Sequence, residues 1–278
     1  KPFTELNKET QSESQAIDLA IQNISINKGH FFFEDAQTNQ IIEANALDFH
    51  ADNVQLGGEK FPFTLSLSFS TNALSKSVTL ATEGKLSFDQ KQQKAEFSDG
   101  EIDITIADTT INTRLDIAVN VKDNIEASGN LKADNINLQK LLTALDQETI
   151  ITANPQALTR VGFSTAFTFS SGSDNSTAMQ LKPFTFTLDK STGTGEISLQ
   201  VPSSSSPTPL PTNINATLSL DTINIDDYLA PPTEGLPQST TASSTANSDS
   251  PLPLDNLRAV NVAANISIGK AIASGLTI

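Results

Sequence analysis

Phe61–Ser70, Phe-Pro-Phe-Thr-Leu-Ser-Leu-Ser-Phe-Ser, alternates strictly between apolar and hydroxyl side chains. Successive side chains of an extended strand point to opposite faces, so Phe63, Leu65, Leu67 and Phe69 share a dry face and Thr64, Ser66, Ser68 and Ser70 a wet one. The same alternation recurs along the chain. It runs through Ile17, Leu19 and Ile21, then Ile24 and Ile26, with Lys28-Gly29 read as a turn before Phe31 and Phe33. Ile42, Ala44, Leu47 and Phe49 continue it with a slip of register. Val78 and Leu80 follow, with Gly84 separating them from Leu86 and Phe88. Ile102, Ile104 and Ile106 precede a turn at Asp108-Thr109. Ile111, Thr113, Leu115, Ile117, Val119 and Val121 then make one long face. Later runs are Phe163, Phe167 and Phe169; Phe184, Phe186 and Leu188; Ile197, Leu199 and Val201; Ile214, Ala216, Leu218 and Leu220; and Val260 to Ile268. Strand runs divided by short polar turns predict antiparallel neighbours joined as a meander.

The period changes once. Leu138, Leu141, Leu142 and Leu145 have helical spacing, and Asn137 is a suitable N-cap, which predicts a short helix over 138–146. Asn154-Pro155 could open a second helical turn. Residues 1–15 read as a flexible lead-in, 16–230 as one β-domain and 231–253 as a disordered, low-complexity linker. Residues 254–278 read as strands that rejoin the same sheet. A nine-residue pattern also repeats: Asp134-Asn-Ile-Asn-Leu-Gln-Lys-Leu-Leu142 and Asp221-Thr-Ile-Asn-Ile-Asp-Asp-Tyr-Leu229, each a strand end running into a helical turn.

Composition narrows the chemistry. Seventeen Lys and Arg against 32 Asp and Glu give a net charge of −15, which argues against nucleic acid and against adhesion to anionic lipid surfaces. Cysteine is absent, so disulfides and thiolate chemistry are excluded. No apolar run is long enough to span a bilayer as a helix. The chain starts at Lys1 without a signal peptide and ends inside a strand pattern, as expected of a piece of a longer protein.

Catalytic constellations are weak. His30 and His50 are the only histidines, and a metal site would need both, completed by Glu34 or Asp35. Gly172-Ser173 lacks the second glycine of a nucleophile elbow. Asp226-Asp227 and Glu101/Asp103 lack calcium-loop spacing and read as solvated turn charges. Gly193-Thr-Gly195 is too short for a phosphate loop. The sequons at Asn23, Asn175, Asn215 and Asn265 would mean little if the source were bacterial. No enzyme and no cofactor are expected.

Three segments resemble the AsmA family of bacterial envelope proteins: Asp221-Thr-Ile-Asn-Ile-Asp-Asp-Tyr228-Leu229-Ala-Pro-Pro232, Glu59-Lys60-Phe61-Pro62-Phe63 with the strand that follows, and Ala273-Ser274-Gly275-Leu276-Thr277. With the strand spacing between them, the resemblance covers nearly the whole chain. It implies a periplasmic protein held in the inner membrane of a Gram-negative envelope, whose β-sheet curls into a half-pipe that carries phospholipid. The transmembrane helix of that family is not in this sequence. Its anchor to the inner membrane would lie in a segment outside it, and envelope proteins are candidate partners.

The expected fold is all-β: a long, curved, mostly antiparallel sheet forming a half-pipe groove, with one or two short helices. Phe63, Leu65, Leu67, Phe69, Ile102, Ile104, Ile106, Leu115, Ile117, Val119, Phe163, Phe167, Phe184, Phe186, Leu218 and Leu220 are the candidate groove lining, facing phospholipid acyl chains. The helix near Leu141–Leu145 would cover an open edge or plug one end. The alternative is a closed β-sandwich or solenoid serving as an envelope scaffold or protein-interaction module, with the same residues as ordinary core. A membrane barrel is disfavoured, because one Tyr and no Trp cannot build aromatic girdles.

Overall fold

The computed structural model of the chain describes residues 20–35, 37–72, 74–203, 210–231 and 260–277. The lead-in of residues 1–15 lies outside them, as does the linker of 231–253 beyond its first residue. Thirteen strands lie side by side in one sheet, in chain order. They are β1 (Ala20–Asp35), β2 (Gln40–Gln55), β3 (Phe61–Thr71), β4 (Val78–Asp89), β5 (Lys94–Ile106), β6 (Thr109–Asn120), β7 (Ile125–Ile136), β8 (Val161–Ser171), β9 (Thr177–Leu188), β10 (Ser191–Val201), β11 (Thr212–Asn224), β12 (Val260–Ala273) and the short β13 (Leu276–Thr277). Every neighbouring pair is antiparallel except β11 and β12. Residues 225–259 separate those two strands, well beyond the dozen or so that a parallel crossover needs.

The sheet is curved and does not close into a barrel. Its bends have local causes. Register shifts interrupt seven of the pairings, and four of the extra residues sit at left-handed φ: Lys28 (53°), Ala46 (51°), Asp99 (53°) and Asn135 (57°). A bulge adds one residue to one strand, bending it and increasing its twist. Two expected breaks lie inside continuous strands instead. Lys28-Gly29 is a bulge of β1, with the Lys28 amide donating to Asp48 Oδ1 at 2.9 Å. Gly84 lies within β4, where a Cβ would meet the Phe97 ring at 2.5 Å. The hairpin after Ile106 turns at Ala107 and Asp108, one residue earlier than expected.

The helix forms where the leucine spacing places it. α1 (Leu138–Ala144) is capped by Asn137, whose side chain accepts from the Lys140 amide at 3.0 Å. Asn154-Pro155 opens a hydrogen-bonded turn, not a helix; the second helical element is a 3₁₀ turn at Ile225–Tyr228. Both repeat units thus end a strand (β7, β11) and enter a helical turn behind an asparagine. The closed-sandwich alternative does not fit: the described strands form a single sheet, and none of their large side chains is fully buried.

Candidate functional site

Cross-strand pairing settles which side chains share a face. Leu65 pairs with Thr82, Thr82 with Ile102, and Ile102 with Thr113; the next row runs Leu67, Leu80, Ile104, Ile111, and the next Phe69, Val78, Ile106, Thr109. Beyond β6, Leu115, Leu131, Thr165, Phe184, Gly195 and Leu218 form one row. Ala133, Phe163, Phe186, Gly193 and Leu220 form the row beside it. Ile117 and Val119 continue through Phe167 and Phe169. All sixteen sequence-predicted lining residues therefore lie on one continuous face. Phe63 and Ile106 are buried and the others are half-buried. Strands of about 12 residues at ~3.4 Å each make this face about 40 Å long in the strand direction.

Phe49 and Phe97 are wall residues that the candidate lining left out. Phe49, Phe63 and Phe97 form an aromatic cluster, with ring centroids 6.3 and 5.5 Å apart, around buried Ala51 and Phe61. Phe63 and Phe97 come from β3 and β5 and meet over Gly84, which has no side chain to keep them apart. Phe184 and Phe186 stack at 5.8 Å. The missing signal for β7 was size, because its inner positions include Ala127, Gly129 and Ala133. A Cβ on Gly129 would lie 1.9 Å from the Asp116 carbonyl oxygen, so only glycine lets β6 approach that closely.

One end of the trough is capped. Ala144, Leu141 and Leu145 of α1 pack on Phe69, Leu74, Val78, Ile104 and Ile106 of the apolar face. The helix therefore plugs an end instead of covering an edge. Its C-terminus is tied to the β3–β4 connection: Lys76 Nζ donates to the carbonyls of Thr143 and Ala144 and pairs with Asp146 Oδ1 at 2.9 Å, and Ser75 Oγ donates to Asp146 Oδ2. These donors, Ser75 before Lys76, hold the Asp146 carboxyl below the usual carboxylate range. The segment from α1 to β8 continues the cap. Its Ala153 and Asn154 amides donate to the carbonyls of Leu229 and Asp227, so it spans from β8 to the turn after β11. Asp189, between β9 and β10, accepts from the Leu158, Thr159 and Arg160 amides and from Tyr228 Oη at 3.0 Å. Burial, and then the Asp189 carboxylate, push the Tyr228 phenol up to about 12.

The convex face is polar and carries its ion pairs between strands, among them Lys85–Asp99 at 2.9 Å and Lys182–Glu196 at 2.8 Å. Lys94, and then Lys60, hold Glu96 below its ordinary range. His30 and His50 face different carboxylates, Glu43 and Asp52. Among the described residues no three His, Asp or Glu side chains are grouped as metal ligands, and no helix is long and apolar enough to cross a membrane. Glu101 and Asp103 are engaged by Arg114 and Asn112 on the convex face. Asp226 accepts from the Ser274 and Gly275 amides, fixing the β12–β13 hairpin.

The fold and this face define a class of architecture: a one-layer β-trough with a dry lining and a plugged end. No protein-family model, curated protein or solved structure matches the chain.

Proposed function

We propose that this chain is the β-domain of an AsmA-like periplasmic protein that holds or conducts phospholipid along its trough for outer-membrane biogenesis. In this reading the full-length protein is anchored in the inner membrane, works with envelope partners and is not an enzyme. One observation carries the proposal: an apolar face continuous over the strands of a single sheet, left half-buried with no second layer against it among the described residues. Monomeric proteins seldom expose apolar patches beyond a few hundred Å², so a face of this extent calls for an occupant. Acyl chains suit it, since a dozen buried methylenes contribute about 10 kcal/mol before ordering costs, through contacts that have no preferred direction and allow sliding. The sequence resemblance points the same way.

A scaffold reading is favoured by the edge of the sheet, where Val262 and Ile266 of β12 are 66% and 63% exposed, a surface on which a protein partner could dock. One experiment separates the two. Mass spectrometry of an organic extract from the purified, detergent-free chain is expected to find near-stoichiometric phospholipid, lost in Leu67→Asp without loss of the folded state. A cooperatively folded monomer free of lipid rejects transport in favour of the scaffold.

A further inference from the structure

The lining changes character at the capped end of β8–β12. Along β11 the inner-face positions read Ile214, Ala216, Leu218, Leu220, and then Thr222 and Asn224. On the neighbouring strands the same face carries buried Ser191 and, opposite Thr222, Lys270, with Ile272 beyond it opposite Asn224. Ser191, Thr222, Asn224 and Ile272 line a cleft of about 680 Å³, within the size range of ligand pockets, together with Arg160, Lys190, Asp227 and Tyr228. The cleft is continuous with the trough, because Phe186 and Leu220 flank Gly193, the next inner position after Ser191 on β10.

Its charges are separated by chemistry. Among the described residues, neither Arg160 nor Lys190 has an ion-pair partner. Asp189, in the same cleft, forms no ion pair with either, its two oxygens accepting from three amides and the Tyr228 hydroxyl. The same cleft is lined by Asp227 and by Asn224, whose Oδ1 is buried and accepts no hydrogen bond. Cations outside any ion pair and acceptors with no donor, beside an apolar channel, match an amphiphile whose head carries both kinds of group. We infer that this cleft seats the head of a zwitterionic phospholipid: the phosphate toward Arg160 and Lys190, a primary ammonium toward Asp227 and Asn224, and the acyl chains along Phe186, Phe184, Leu218 and Leu220. The inference rests on the lipid-trough reading and adds a headgroup preference and an orientation to it. A quaternary ammonium has no N–H to offer Asn224, and an anionic head has no cation for Asp227, so both should bind less well.

The test incubates the delipidated chain with phosphatidylethanolamine, phosphatidylcholine, phosphatidylglycerol and diacylglycerol of matched acyl chains, and reads occupancy by native mass spectrometry. Phosphatidylethanolamine is expected to exceed phosphatidylcholine by roughly tenfold, about the value of one charge-assisted contact. Asp227→Asn should bring the two near parity without lowering total lipid. The Arg160→Gln, Lys190→Gln double variant should weaken all three phospholipids roughly tenfold and leave diacylglycerol unchanged. Both cations are exposed, so the fold should tolerate their loss. Equal uptake of all four lipids, unaltered by these variants, overturns the headgroup site and leaves the trough standing. Failure to bind any of them, diacylglycerol included, removes the trough and this inference together. Tight binding of chain-free glycerophosphoethanolamine would make the cleft a site for a soluble phosphoester and would also overturn it.

Discussion

The two copies of the Asp-x-Ile-Asn pattern build opposite halves of the same cap. After β7, the repeat enters α1, whose Leu141, Ala144 and Leu145 close the trough with an apolar plug over Val78 and Ile106. After β11, the same pattern enters a single 3₁₀ turn that presents Asp226, Asp227 and Tyr228 instead. The difference begins in the residues following each asparagine. Leu-Gln-Lys-Leu-Leu supplies a helical apolar stripe, whereas Ile-Asp-Asp-Tyr supplies acceptors and a phenol. One backbone device thus gives a dry stop over β3–β5 and a wet cleft over β8–β12. A trough finished in this way has two kinds of end wall, and the wet one suits a polar group.

The largest expected effect falls on the dry half. Val78 is 5% exposed beneath α1, and Val78→Asp would bury a carboxylate with no partner among the apolar side chains around it. Urea unfolding should show a loss of about 4 kcal/mol. Ile266→Asp, on the same face at 63% exposure, should cost under about 1 kcal/mol. If the two variants proved equally destabilising, the apolar face would be uniformly closed and the trough would have no accessible stretch.

How much of this was legible in the chain depends on the reach of each interaction. Period-two alternation placed Phe63 to Phe69, Ile102 to Ile106 and Leu115 to Val119 correctly on one face, because adjacent side chains of a strand must oppose each other. It failed where left-handed Lys28 shifts the count in β1, and at Gly84, where a missing side chain interrupts an apolar run that stays in phase, so both were read as breaks between strands. It also failed on β7, where Ala and Gly stand in place of larger apolar residues. Asn137 and the leucine spacing revealed α1, but not its seat, since Val78 and Ile106 are 66 and 38 residues from Ala144. The wet cleft was invisible for the same reason. Arg160, Lys190 and Asn224 come from three different connections and strand ends, and no local spacing links them.

The two asparagines that precede the helical turns sharpen the comparison at smaller scale. Asn137 caps α1 with its side chain, whereas Asn224 makes no side-chain cap bond and keeps a buried, unpartnered oxygen. Asn137→Ala should therefore destabilise the protein by about 1 kcal/mol in urea melts, the usual value of a lost N-cap. Asn224→Ala should be neutral or slightly stabilising, since it removes a desolvated acceptor that nothing satisfies in the free protein. Equal losses at both sites would mean that the second repeat is capped like the first, and that Asn224 is not held in reserve for a ligand.

The smallest effect separates the two halves by pH. Asp146 at the dry end has its folded value depressed by Ser75 and Lys76. Its contribution is complete above its ordinary 3.8 and is lost as pH falls through the lowered value, on the acid side. Tyr228 at the wet end is shifted the other way, from 10.0 up to about 12. Its contribution is complete below pH 10 and is lost as pH rises toward 12, because the unfolded phenol ionises first. Urea midpoints measured from acid to alkaline pH should therefore lose part of their acid decline in Asp146→Asn and part of their alkaline decline in Tyr228→Phe, each leaving the other limb unchanged. The chain has one Tyr and no Trp, so absorbance of tyrosinate follows Tyr228 alone. A phenol that titrates near 10 in the folded protein would show that the Asp189–Tyr228 contact is open to water, and the wet half of the cap would then be a loose surface instead of a built wall.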